Sequence, residues 1–140
     1  MKNLIIHGNK KSGKSLFIKN LLRQFRFSAL HCRGLNLEKT ISWGLSPEHR
    51  YCKILWFQDI PMRISEERFF LLANEFKVDI QYHEPILINP FLILEFEGEI
   101  KFPTTNPSFT SRFHFINTNT ISYKDLMGYF ENLKIEIRKS

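Results

Sequence analysis

Gly8-Asn9-Lys10-Lys11-Ser12-Gly13-Lys14-Ser15 decides the reading of this chain. The spacing is G-x-x-x-x-G-K-[ST], a glycine-flanked loop whose successive backbone N–H groups can cradle phosphate oxygens. Such a loop needs a strand before it and a helix after it, and both are written in its flanks. Leu4-Ile5-Ile6 is a short apolar run suited to a buried parallel strand. Ile18, Leu21, Leu22 and Phe25 recur at i, i+3, i+4 and i+7, which is one face of a helix. Glycine lets the main chain approach the phosphates without a Cβ in the way, and the helix start adds its partial positive charge. Lys14 is then placed to reach the β and γ phosphates, and the Ser15 hydroxyl to hold Mg²⁺. The plain alternative is a solvated lysine-rich turn made by Lys10, Lys11 and Lys14. The loop predicts a nucleotide cradle built from Gly8, Asn9, Lys10, Lys11, Ser12, Gly13, Lys14 and Ser15.

Composition narrows the setting. The 140 residues have room for one domain of ordinary size. A 43% hydrophobic and 24% charged composition argues against disorder, and 14 phenylalanines suggest a core built on rings. Lys and Arg number 20 against 14 acids, and the net charge of +6 favours anionic partners without choosing among them. No apolar run is long enough for a membrane-spanning helix, and the apolar stretch at the amino end is too short for a signal peptide. An intracellular location is therefore expected. Cys32 and Cys52 lack CxxC or Cys/His ligand spacing, so they read as two buried or half-buried thiols.

The remaining chain alternates strand and helix signals. Phe27–Cys32 is a second strand, and Lys53–Phe57 a third that ends in Gln58-Asp59-Ile60-Pro61. Ser65 is placed to cap a helix with Glu66 and Glu67 in its first turn and Phe69, Leu72, Ala73 and Phe76 on one face. Val78–Ile88 reads as a hairpin turning near 81–84, Phe91–Phe96 as a strand, and Arg112–Ile116 as the last strand. Pro103–Ser111, rich in Thr, Ser, Pro and Asn, is the clearest loop. Ser122 with Asp125 resembles a capping box opening a final helix that carries Leu126, Phe130, Leu133 and Ile137. The fold expected is α/β: a P-loop NTPase with a mainly parallel sheet of about five strands flanked by helices on both faces.

A P-loop ATPase needs an acid on a neighbouring strand, one carboxylate supporting Mg²⁺ and an adjacent one polarising the attacking water. Ile54-Leu55-Trp56-Phe57-Gln58-Asp59 carries one acid to that edge, with Gln58 in front of it. Asp59 is open to either role, or to merely ending a strand before a proline turn.

The order of these segments resembles the ATPase domain of superfamily 3 helicases, the replication initiators of small DNA viruses such as geminiviruses, circoviruses and papillomaviruses and of plasmids. Gly8–Ser15 looks like their Walker A. Ile54–Pro61 looks like their Walker B, whose geminivirus-type ending of two acids then Ile-Pro is close to Gln58-Asp59-Ile60-Pro61. Phe76–Phe96 is similar to the family's hairpin and the strand that carries its sensor residue. Arg112 looks like the arginine finger ahead of a final strand.

The resemblance implies an AAA+-like ATPase that uses ATP and Mg²⁺ as a homo-oligomer, a hexameric ring being one form, and moves on single-stranded DNA. In that scheme Lys14 neutralises the phosphates, Ser15 and Asp59 support Mg²⁺, and Arg112 enters a neighbour's site. Lys77 and His83 correspond to the DNA-touching hairpin, although by residue type alone they are ordinary solvated side chains.

Three departures stand beside the likeness. Gln58 replaces one Walker B acid. The sensor strand ends Leu94-Glu95-Phe96-Glu97 where Asn is usual, and an Asn comes only later, at Asn106, so the nucleotide-sensing residue stays open between Asn106 and the Glu95/Glu97 region. The oligomerisation and nicking segments of the family have no counterpart, so residues 1–140 are expected to form a single P-loop domain without an endonuclease or lid domain. A ring would then need a partner chain, a trimmed interface or ligand-induced assembly. A non-hydrolysing nucleotide switch or regulatory subunit, a small P-loop kinase, and a DNA-binding module without nucleotide are the other readings.

Overall fold

The computed structural model describes residues 2–9, 13–26, 28–33, 52–60, 76–78, 84, 86–98 and 107–139. In chain order these form β1 (Asn3–Gly8), α1 (Lys14–Gln24), β2 (Ala29–Arg33), β3 (Ile54–Gln58), β4 (Phe76–Val78) and β5 (Ile86–Ile88). There follow β6 (Phe91–Glu97), α2 (Pro107–Arg112), β7 (Phe113–Asn117) and α3 (Tyr123–Lys139).

Five strands pair in the order β2-β3-β6-β1-β7, every pair parallel. A parallel strand between two neighbours is buried on both faces, which is why β1, β3 and β6 read as near-continuous apolar runs rather than alternating ones. Leu4, Ile5, Ile6, Ile54, Leu55, Leu92, Ile93 and Leu94 are all fully buried. Strand β6 is inserted between β1 and β3, so the phosphate loop strand and the Gln58-Asp59 strand are not direct neighbours. The fold is that of an α/β, P-loop NTPase-like domain.

Both long helices lie against one face. Ile18, Leu21 and Phe25 of the first helical segment and Leu126, Phe130, Leu133 and Ile137 of α3 pack on Leu4, Ile6, Trp56 and Ile93. Phe17 bridges the helices, stacked on Phe130 at 5.5 Å and tilted against Tyr123 at 5.4 Å. Burying each such side chain contributes about 1.5–3 kcal/mol, so this interface holds α1 in place. Helix α3 opens as its sequence predicts, with the Asp125 N–H donating to Ser122 Oγ at 3.1 Å. Cys52 is a buried thiol that donates to the Ile54 carbonyl, and burial pushes its pKa up.

Three boundaries differ from the sequence reading. Pro107–Arg112, inside and just past the expected loop, is a short helix. Proline suits a first helical position, and the Thr110 and Ser111 hydroxyls turn back onto the Pro107 and Ser108 carbonyls, so loop-like residues are absorbed into a helical turn. Arg112 therefore ends a helix instead of starting the last strand. Phe76, expected on a helix face, opens β4, where Phe76 pairs with Ile88 and Val78 with Ile86. That antiparallel pairing bears out the hairpin; residues 81–83 of its turn and residues 65–75 of the helix expected from Ser65 lie outside the described residues.

Candidate functional site

The loop is clamped at its start by both neighbouring strands. Thr118, just past β7, donates to the His7 carbonyl twice, from its N–H at 2.8 Å and its hydroxyl at 3.1 Å. The Asn9 N–H donates to Asn119 Oδ1 at 2.9 Å, and the Gly98 N–H past β6 donates to the Gly8 carbonyl at 2.7 Å. Gly8 sits in this crossing because a Cβ there would run into Thr118 Oγ1. Gly13 then takes a left-handed conformation (φ +83°) that glycine adopts without cost and feeds α1. Neither a side-chain cap nor an acid in the first turn opposes the helix terminus, which keeps its N–H groups and positive end available to an anion.

Lys14 is only 3% exposed, and its ammonium donates to the Gly8 carbonyl at 3.1 Å and the Asn9 carbonyl at 3.0 Å. The charge thus points into the loop, where the phosphate tail of a nucleotide would lie. Ser15 Oγ donates to Glu95 Oε1 at 3.0 Å, and the Trp56 indole N–H donates to Glu95 Oε2 at 2.9 Å. Glu95 is 2% exposed. Burial pushes its carboxyl pKa up; the bonds from Ser15 and Trp56 and the Lys14 charge pull it back, while the Asp59 charge adds to the rise.

On β3 the same level looks different. Gln58 Oε1 lies 2.8 Å from His31 Nε2, and the His31 ring stacks on Trp56 at 3.9 Å. Asp59 is half-buried with φ +58°, the left-handed region that Asp enters more readily than most residues. That turn sends the Ile60 N–H to the Glu95 carbonyl at 3.1 Å and brings Asp59 within electrostatic reach of Glu95. Backbone strain at such a point is of the kind that functional sites hold.

Arg112 stands at the other end of the sheet. Phe113, the next residue, pairs with Asn3 while the cradle begins at Gly8, a separation of about 16 Å along the strand at 3.3 Å per residue. Lys77 lies in β4, which belongs to the separate two-stranded ribbon. Lys10, Lys11, Ser12, His83 and Asn106 lie outside the described residues. The structure therefore brings Gly8, Asn9, Gly13, Lys14, Ser15 and Asp59 to one strand edge and keeps Arg112 away from it.

Three residues of this site escaped the sequence reading. Glu95 figures there only within a candidate sensor region and not as a partner of Ser15, although a lone acid inside the apolar run Phe91–Phe96 is itself a signal, since a buried carboxylate is costly unless partnered. Thr118 and Asn119 had no signal beyond polar residues following an apolar strand.

The donor set is all oxygen: one hydroxyl and two carboxylates. No group of three or more His, Cys, Asp or Glu converges among the described residues. That combination suits Mg²⁺, which binds through one or two carboxylates, substrate phosphates and retained waters rather than an all-protein cage. Ser15 would hold it directly, with Glu95 behind that hydroxyl and Asp59 acting through water.

No protein-family model matches the chain, and no curated protein matches it in sequence. Among solved structures it is similar to the A-form apo structure of the C-terminal region of NrS-1, with 12% identity and a TM-score of 0.55 over 95% of this chain. A second structure of that region, residues 305–718, aligns at 10% identity and a TM-score of 0.51 over 94%. The chain spans 34% of the length of each. At this identity the likeness is one of fold alone. No described helix is long and apolar enough to cross a membrane.

Proposed function

We propose that this chain is an ATP-binding P-loop ATPase related to replicative DNA helicases, working as an oligomer that couples ATP hydrolysis to movement on single-stranded DNA. The observation that carries the reading is the clamped glycine loop, with the Lys14 ammonium turned inward between β1 and an uncapped helix start. In this mechanism Lys14 leaves the Gly8 and Asn9 carbonyls for the β and γ phosphates, and the N–H groups at the start of α1 hold the remaining oxygens. Bound Mg²⁺ would supply neutralisation of the charge shared by those phosphates. Asp59 orients the attacking water. Arg112, too far from its own cradle, acts on the γ phosphate of a neighbouring copy.

ATP turnover measured with and without single-stranded DNA, and sedimentation with and without ATP plus Mg²⁺, test this directly. DNA-stimulated turnover and nucleotide-dependent assembly are expected. Arg112→Ala should keep binding and lose about a thousandfold in turnover. Mixing it with Lys14→Ala chains should restore part of the activity; an inert mixture rejects shared sites. One observation favours a second reading, a nucleotide-binding switch without turnover: Gln58 stands where an acid is usual and is engaged with His31. Tight ATP binding with no hydrolysis under any condition would select it.

A further inference from the structure

We propose that Glu95 is the positioning carboxylate of the metal site: it accepts the hydrogen bond of the Ser15 hydroxyl so that the lone pairs of that oxygen face the cation. The proposal rests on the nucleotide-binding reading above and names the residue that completes it.

A serine hydroxyl has one proton and two acceptor lone pairs. To ligate a cation the oxygen must present a lone pair, so the proton needs an acceptor on the opposite side. Ser15 has that acceptor in Glu95 Oε1, at 3.0 Å. The acceptor is itself held, because the Trp56 indole N–H grips Oε2 at 2.9 Å. With each oxygen occupied by a different donor, the carboxylate has a fixed orientation, which is what an outer-shell partner must have to orient a ligand.

The rest of the strand argues that position 95 is not there for packing. Leu92, Ile93, Leu94 and Phe96 are buried hydrocarbon, and another such side chain would avoid the cost of burying a charge. On β3 the position one step beyond the Phe57–Leu94 pair holds Gln58, whose side chain is engaged with His31. The acid that the third strand lacks thus stands on the strand beside it, at the same level and nearer the loop. Asp59 is left for the water.

The test measures the affinity of a fluorescent N-methylanthraniloyl ATP analogue in Mg²⁺ and in EDTA. In the unaltered chain Mg²⁺ tightens binding by about tenfold or more, and Glu95→Gln brings the ratio to within about twofold of one, the size of effect that outer-shell changes have on metal affinity. A glutamine has one acceptor for two donors, so when Trp56 takes it, Ser15 must turn its proton elsewhere. Ser15→Ala should collapse the ratio equally, and the double variant should add nothing. A purely structural role would weaken both affinities together and leave the ratio standing, which would overturn the proposal, as would additive losses. If the variant does not fold, the Trp43→Phe chain leaves Trp56 as the single tryptophan. Mg²⁺ added to its ATP complex should then shift the indole emission, and an unresponsive indole rejects the role of Glu95. Failure of the unaltered chain to bind the analogue at all would instead remove the nucleotide site itself, and this proposal with it.

Discussion

Strands β3 and β6 lie side by side and reach the phosphate loop at the same level, yet they end in opposite ways. Strand β3 finishes in Gln58 and Asp59, half-exposed, one drawn to a histidine and the other in a left-handed turn. Strand β6 carries Glu95 in the dry interior, with a hydroxyl and an indole fixed to its two oxygens. An acid is useful to this site wherever the sheet can hold it beside Ser15, and the sheet, not the order of motifs, decides which strand that is. Because β6 is the direct neighbour of β1, its side chains meet the first turn of α1 before those of β3 do.

The harshest way to break the contrast is to remove the charge of the loop itself. Lys14→Ala deletes the ammonium, and with charge-assisted bonds at about 1.5–3 kcal/mol each, nucleotide affinity should fall by roughly a hundredfold or more. Unchanged affinity in a titration would discard the cradle.

Stability separates the two strands next. Glu95→Ala leaves the buried Trp56 N–H without an acceptor, a loss of about 1–3 kcal/mol in denaturant unfolding. Asp59→Asn should change stability by less than about 0.5 kcal/mol, since Asn tolerates the same left-handed backbone, while turnover falls. Equal losses from the two would erase the distinction drawn between a buried anchor and a solvent-side acid.

His31→Ala sharpens it further. Removing the ring that stacks on Trp56 should cost about 0.5–1.5 kcal/mol and free Gln58, without touching the dependence of ATP affinity on Mg²⁺. A collapse of that dependence would mean that β3 helps to set the metal site after all.

The smallest effects are in pH. The raised pKa of Glu95 means that the folded chain binds a proton more readily than the unfolded one. Its contribution is therefore complete below the ordinary carboxylate range and declines as pH rises through the folded value. His114, on the edge strand β7, goes the other way: burial and the Lys2 charge hold its imidazole below the ordinary value. Stability from that group is complete above the ordinary range and declines as pH falls toward the depressed value. Glu95→Gln should flatten the first slope and His114→Gln the second in thermal melts across pH, and a reversed slope in either case would refute the assignment.

Much of this was legible in the residues themselves. Gly8, Gly13, Lys14 and Ser15 announce a phosphate loop because their spacing is a local backbone requirement, and the runs Leu4–Ile6, Ile54–Phe57 and Phe91–Leu94 announce buried parallel strands because their hydrophobicity is unbroken. The capping of α3 by Ser122 is equally local. Local signals fail where a polar segment has two uses, as at Pro107–Arg112, whose loop-like composition folds into a helical turn.

What the chain alone determined, then, is the set of elements and the chemistry of the loop, since both depend on interactions between residues a few positions apart. Which strand lies beside β1, and therefore which acid meets Ser15 across eighty positions of sequence, only the folded sheet decided. Strand order follows from how the apolar faces of all five strands and two helices bury one another together, and no single stretch of sequence carries that information.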